Sequence, residues 1–206
     1  MSVASQPLAP TGPLPRAERR DAILRGAAEA FARTGYAATS MEDIATASGI
    51  TKLIVYRHFD SKEALYRAVL QRVFDRLAEV FLAGYRETGI GARSLLTVAR
   101  EDPAAFRLLW QHAAREPQFA EYARDLREHA VDASRALLAG QVPPEVHEWA
   151  AHTILGYLVE AVLNWLEYGD PERDEQLVDL ATGALIAGVR AWTPADEASD
   201  RAAERG

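Results

Sequence analysis

The sequence predicts an all-α fold, on three observations. Apolar residues recur at three- and four-residue spacing through most of the chain, no alternating strand pattern persists, and glycine and proline fall between the periodic stretches. The chain has 206 residues, 49% of them hydrophobic, enough to bury a sizeable core. The expected architecture is an N-terminal three-helix unit joined through a long fourth helix to a helical C-terminal unit, about nine helices in all.

Residues 1–15, with Pro7, Pro10, Pro13 and Pro15 and no apolar central run, read as a disordered arm rather than a secretory signal. The first helix covers about 16–34, with Ile23, Leu24, Ala27, Ala30 and Phe31 inward and Gly35 as its stop. Thr39 or Ser40 caps a second helix, about 40–47, that turns Ile44 and Ala45 inward. The break "ASGI" follows, where Gly49 takes a positive φ at no steric cost. Thr51 caps a third helix, about 51–58, and Asp60 or Ser61 followed by Glu63 starts a fourth, about 61–84. The fourth is apolar over a wide arc: Leu65, Val69, Val73, Leu77 and Val80 on one side, Leu70, Phe74 and Phe81 on another. Such a helix is expected to join two packed regions.

Gly84, Gly89 and Gly91 mark a loop before a fifth helix, about 92–101. Pro103 opens a sixth, about 103–115, with Phe106, Leu109, Trp110 and Ala113 inward. Pro117 separates a seventh, about 118–139, with the stripe Phe119, Tyr122, Ala123, Leu126, Ala130, Ala133 and Leu137. Pro143 and Pro144 lead into an eighth, about 144–168, and a ninth follows at about 172–192. Residues 194–206, "PADEASDRAAERG", read as a solvated tail.

The eighth helix is apolar nearly all round, so it must be buried on more than one side. The ninth alternates small residues with larger ones. A dimer interface built from Ile154, Leu158, Val162 and Leu166 with Leu177, Leu180, Ala184, Leu185, Gly188 and Trp192 satisfies both helices. One large monomeric core is the alternative.

Charge divides the chain. The formal net charge is −7, yet residues 1–70 hold nine Lys/Arg against seven Asp/Glu, a balance of +2, and residues 71–206 hold fourteen against 23, a balance of −9. Only the first segment suits a polyanion. The absence of cysteine excludes disulfides and thiolate metal sites and fits a cytoplasmic location. No stretch is long and apolar enough to span a bilayer.

Two short helices joined through "ASGI" suggest a helix-turn-helix, whose second helix enters the DNA major groove. Each donor then has an expected task. Thr39 and Thr51 stand at helix starts that favour phosphate. Lys52 reaches a guanine edge or a phosphate, and Leu53 meets a thymine methyl or tucks against the second helix. Tyr56 and His58 hold backbone oxygens. Lys62, a base in a first helical turn, is explained by a nearby phosphate. Ser40 and Arg57 complete the candidate DNA-binding set, and Arg16, Arg19 and Arg20 add contacts from the arm side. Val55 and Phe59 face the core of the unit.

These residues resemble a known family. The run from Tyr36 through "AATSMEDIATASGITK" and on from Tyr56 through "RHFDSKEAL" is similar to the N-terminal domain of TetR family transcriptional regulators. Phe31, Gly35, Thr39, Ile44, Ala45, Gly49, Tyr56, His58, Phe59, Lys62 and Leu65 fall in register over about residues 16–66. The resemblance implies a homodimeric regulator, by family expectation a repressor, on a palindromic operator. It places a DNA-binding domain at 16–62 and a C-terminal effector-binding and dimerisation domain at 63–193. A small, apolar effector would release the DNA. In two places the chain departs from the family: Leu53 stands where a small residue is usual, and Val55 where leucine is common.

By the same resemblance the effector pocket lies among helices four to eight. Candidate liners are Phe74, Phe81, Tyr85, Phe106, Trp110, Phe119, Tyr122, Trp149, His152, Tyr157, Asn164 and Trp165, with Asn164 the outstanding polar group. Enzyme signatures are missing. Glu148 with His152, and Asp125 with His129, share helix faces but lack a third ligand nearby, and there is neither a phosphate loop nor a nucleophile elbow. No catalytic residue, cofactor or metal is expected. The rival readings are a constitutive DNA-binding protein and a helical small-molecule-binding protein or enzyme.

Overall fold

A computed structural model describes residues 15–84, 87 and 89–192. The predicted arm (apart from Pro15), the tail and Tyr85 lie outside the described residues. Nine α-helices appear in the described chain: α1 (Arg16–Ala38), α2 (Met41–Ala47), α3 (Lys52–His58), α4 (Lys62–Ala83), α5 (Ile90–Glu101), α6 (Pro103–Arg107), α7 (Ala120–Leu138), α8 (Pro144–Tyr168) and α9 (Asp174–Trp192). The chain belongs to the all-α class expected, with no strand among the described residues. No described helix is long and apolar enough to cross a membrane.

The head is built by α1, α2 and α3 around Ile23, Leu24, Ala27, Phe31, Ile44 and Val55, all fully or almost fully buried. Gly35, at φ 80°, breaks α1 where the sequence placed a stop. A capping box starts α2: Asp43 N–H donates to Ser40 Oγ at 3.1 Å, and Ser40 N–H donates to Asp43 Oδ2 at 2.8 Å. Gly49, at φ 66°, makes the turn into α3. A second glycine sets how closely the head packs. A Cβ on Gly26 of α1 would sit 2.6 Å from Ser48 N and 2.8 Å from its Cα, so α1 rests directly on the turn.

The N-terminal half of α4 completes the head core with Leu65, Tyr66, Val69 and Leu70; its second half carries Val73 and Leu77 into the body. The buried side chains of head and body form one continuous cluster. In the body, α5 is clamped to α9 by two paired arginine–carboxylate contacts: Arg100 to Asp174 at 2.9 and 2.7 Å, and Arg93 to Glu175 at 2.5 and 2.9 Å. Trp165 Nε1–H of α8 donates to the same Asp174 carboxylate at 2.8 Å.

The structure corrects the sequence reading in two places. The expected continuous helix 103–115 is three pieces: α6, a π-helical turn over Leu108–His112, and a 3-10 turn over Ala113–Arg115. Buried Ala105, Phe106, Leu108, Leu109 and Ala113 need a face broader than one α-helical stripe, and the wider turn supplies it. The second correction concerns α8 and α9. Ile154, Leu158, Val162 and Leu177 are buried within the single chain, and Leu166, Leu185, Gly188 and Trp192 are partly covered. Ile154, Leu158, Val162 and Leu177 thus belong to this chain's own core, whereas Leu166, Leu185, Gly188 and Trp192 keep part of their surface open. The exposed faces hold Trp149, Tyr157, Asn164 and Tyr168 on α8, and Leu180, Gly183, Ala184 and Ala187 on α9. Only Leu180 and Ala184 of the expected interface lie among them.

Gly26→Ala should cost about 1–3 kcal/mol, because the turn backbone must move to admit the methyl group. Urea denaturation of the full chain checks this, with the loss read as a lower midpoint at unchanged slope.

Candidate nucleic-acid interface

The turn at Gly49 and the capped start of α2 hold α3 with one face in the core and one in solvent. Val55 is fully buried and Phe59 nearly so, whereas Leu53 is 63% and Tyr56 45% exposed. Thr51, Lys52 and Arg57 are exposed as well. The Thr51 side chain makes no capping bond to the start of α3. Leu53 therefore projects outward and does not tuck against α2. This outward strip of hydroxyl, ammonium, aliphatic and phenol groups has the chemistry of a base-edge and phosphate reader.

An acid stands within it. Lys52 Nζ pairs with the Glu42 carboxylate of α2 and lies 5.8 Å from the Tyr56 ring centroid. The hydrogen bond from Lys52 holds the Glu42 carboxyl below its ordinary range and in turn pushes Lys52 up. Nothing in the sequence reading singled out Glu42. The signal was its place one turn before the "ASGI" break, which brings α2 alongside the start of α3.

At the other end of α3, burial pushes the His58 imidazole below the usual histidine range, and the charges of Arg16, Arg19 and Arg20 add to the shift. Arg20 also stacks over the Phe59 ring at 5.2 Å. The first turn of α1 and the end of α3 thus form one basic edge.

Two expected phosphate contacts have other work. Thr39 is 2% exposed, and its hydroxyl donates to Gly35 O at 2.6 Å, closing the end of α1; Ser40, not Thr39, caps α2. Lys62 Nζ donates to Tyr36 O and Thr39 O, both at 2.8 Å, and sits 4.4 Å over the Tyr36 ring. The orphan carbonyls at the end of α1 account for a base at the start of α4 without a phosphate.

A half-open cavity of about 880 Å³ lies in the body between α4, α5, α7, α8 and α9. Phe74 and Trp110 line it as expected, and Phe81 does too. The other expected liners stand elsewhere. Phe106 is buried in the core, and Phe119 stacks on Tyr66 at 4.3 Å in the joint between head and body. Tyr122 donates to Gln71 Oε1 at 2.5 Å. Trp149 packs edge-on to Trp192, His152 meets Glu148 at 3.1 Å, and Tyr157 is exposed. Asn164 is exposed, and its amide donates to its own helix at Glu160 O, 2.8 Å away, so it is no buried polar probe. Trp165 is held by Asp174. Polar groups that sequence reasoning missed do line the cavity: Ser94 of α5 and Thr182 of α9. Each occupies a polar position in an inward stripe, Ile90–Ser94–Val98 and Val178–Thr182–Leu185, which was the available signal.

The side-chain geometry yields two expectations. Lys62→Ala should lower stability by about 1.5–3 kcal/mol, the scale of charged hydrogen bonds, and leave the salt dependence of DNA binding by the folded protein unchanged. Thermal melts and a titration of DNA affinity against salt measure the two parts. Glu42→Gln should tighten DNA binding at low salt by roughly fivefold, the scale of one charge contact of about 1 kcal/mol in water, and the gain should fade as salt screens it. Fluorescence anisotropy at two ionic strengths reads this.

Comparison with known proteins agrees with the geometry. The family profile described as "Bacterial regulatory proteins, tetR family" matches residues 23–69, the whole of the head beyond the start of α1. The HTH-type transcriptional activator FasR of Mycolicibacterium smegmatis is 32% identical over 186 residues, covering 84% of this chain and 85% of that protein. A TetR-like regulator from Rhodococcus sp. RHA1 shares the fold, with a TM-score of 0.71 at 22% identity over 86% of this chain and 99% of that one. AibR, solved in complex with isovaleryl coenzyme A and operator DNA, aligns with a TM-score of 0.59 at 24% identity over 81% of this chain and 97% of its own. These relatives are regulators rather than enzymes. A helix-turn-helix head on a long shared helix, together with a match running almost the full length of a curated relative, makes this chain a member of the TetR family of DNA-binding transcriptional regulators.

Proposed function

We propose that the chain works as a two-fold homodimer on a palindromic operator, and that a small molecule in the body cavity changes its hold on DNA. The observation that carries this reading is the course of α4. One face of it closes the head core at Leu65 and Val69, and Phe74 and Phe81, further along, form cavity wall. A molecule pressing on that wall acts on the element that positions α3. The AibR complex supports the coupling, since that fold relative was captured with both a coenzyme A thioester and its operator.

The outer faces of α8 and α9 support the dimer. Tyr157 and Leu180 are 40% and 60% exposed, and Gly183, Ala184 and Ala187 beside Leu180 offer a flat, small-residue surface that a second copy approaches closely. The reading groups Thr51, Lys52, Leu53, Tyr56 and Arg57 as the groove-facing set, with His58 and the arginines at the start of α1 beside the backbone. Ligand-driven release from a promoter would make the protein a repressor. FasR carries the name of an activator, so the position of the operator decides the sign.

Selection from random DNA should return symmetric sites with half-sites about one helical turn, or a multiple of it, apart. Lys52→Ala should alter base preference. Ala184→Glu places a charge on the exposed face of α9 and should yield a folded monomer by sedimentation. Its operator affinity should fall by about 10²-fold or more, because the second head no longer binds as part of the same molecule.

A further inference from the structure

Three residues of the cavity lining carry a side-chain polar atom that the protein itself does not satisfy. The Ser94 hydroxyl, the Thr182 hydroxyl and the Trp110 indole N–H are buried and have no hydrogen-bond partner among the described residues. All three line the cavity, and Ser94 is only 3% exposed. Thr182 lies against the loop into α5. A Cβ on Gly89, at φ 79°, would sit 2.8 Å from its Oγ1, so the backbone passes close by the hydroxyl. Trp110 belongs to the π-helical turn, an element found often at functional sites, and the guanidinium of Arg127 lies 5.7 Å from its ring.

The charged groups of the lining stand apart from these three. Glu87, His129, Asp132 and Arg190 are all exposed and mark the rim. The lining itself holds donors but no buried cation; the guanidinium of Arg127, on the Trp110 ring, is not part of it. An indole N–H only donates, and each hydroxyl donates as readily as it accepts, so each of the three is matched to an acceptor. An ionised carboxylate placed there would lose its hydration with no counter-charge in the lining to replace it. A pure hydrocarbon would leave all three donors unsatisfied.

We infer that the cavity takes an uncharged, mainly hydrocarbon molecule bearing a carbonyl-type acceptor, an ester, thioester or ketone, held by Ser94, Thr182 and Trp110. This rests on the reading of the cavity as the effector site and names the class of molecule it selects.

Methyl decanoate, decanoate and undecane are the probes, tested with the full-length protein by calorimetry and thermal shift at pH 8. The ester should bind. Ser94→Ala, Thr182→Val and Trp110→Phe should each weaken it by about threefold to tenfold, the scale of a neutral hydrogen bond, and leave undecane unchanged or tighter. Decanoate should bind more weakly than the ester. Ser94→Ala without ligand should melt at the same temperature or higher, because it removes an unsatisfied hydroxyl, so weakened binding cannot be put down to unfolding. The inference is overturned if no ester binds, if ester and alkane respond alike to the three substitutions, or if decanoate binds tightest. Anisotropy with selected operator DNA separates this from the regulatory reading. Ester binding that depends on the donors but leaves DNA untouched supports the ligand class and sinks the regulation. DNA release by compounds indifferent to the donors does the reverse.

Discussion

The whole arrangement depends on α4 belonging to two packed regions at once. Its first three turns supply Leu65, Tyr66, Val69 and Leu70 to the head, and its later turns supply Val73 and Leu77 to the body. Close packing makes such a shared rod stiff, since neither region has room to slide along it. Lys62 fixes its start, through hydrogen bonds to Tyr36 and Thr39 carbonyls that bind the head's first loop to the helix. The orientation of α3 is therefore a property of the body as much as of the head. A helix-turn-helix of two seven-residue helices holds its angle by virtue of what α4 and α1 pack against.

Around that rod, head and body meet in a joint that is aromatic at one side and ionic at the other. Phe31, Tyr36, Tyr66 and Phe119 stack edge and face, with ring centroids between 4.3 and 5.8 Å apart, and Glu116 accepts the Tyr36 N–H at 3.3 Å. On the other side Arg72 of α4 bridges Asp21 of the head and Asp102, whose other oxygen caps α6 at 3.0 Å. Stacked rings interlock by shape, and the Arg72 pairs, largely covered at Arg72 and Asp102, tie the head to the start of α6. Trp110 sits in the π-helical turn that adjoins both α1 and the cavity, so occupancy of the cavity and the angle of the head share one stretch of backbone.

Much of this is legible in the sequence. Helical period, caps and breakers place eight of the nine helices to within a few residues, because each of those signals acts locally; the sixth, expected over 103–115, ends at Arg107 and gives way to π-helical and 3-10 turns. The head is read more closely still, since the stretch from Tyr36 to Leu65 joins local chemistry to a family pattern. The failures are of two kinds, both non-local. Lys62 and Thr39 look like phosphate ligands until the carbonyls at the end of α1 are seen beside them; the partner is 23 or more residues away or arises from a kink at Gly35. The faces of α8 and α9 fail differently. A helix apolar all round does not say which side meets its own chain. Ile154 and Leu158 go inward because α5 and α9 cover them, leaving Tyr157 and Leu180 outside. Aromatic residues misled the search for cavity lining for the same reason: large rings are the ones most needed in the joint, and small polar Ser94 and Thr182 are what the wall keeps for contact.

The electrostatics favour the proposed pairing of two heads. The segment that meets DNA carries an excess of only +2 and the remainder −9. Lys52, the base at the front of α3, is already engaged by Glu42, and Lys62 is spent within the fold. A single head thus leaves phosphate contact mainly to its arginines, and the counterion release that drives association grows with each phosphate neutralised. The acidic body meanwhile repels the duplex and favours a docking pose that keeps it distant. Under these conditions two heads on a fixed spacing would convert weak contacts into a joint one whose strength depends on that spacing. A regulator built so is sensitive to small changes of head angle: little electrostatic surplus stands behind either contact, and a rotation that spoils the second head's register removes most of the grip.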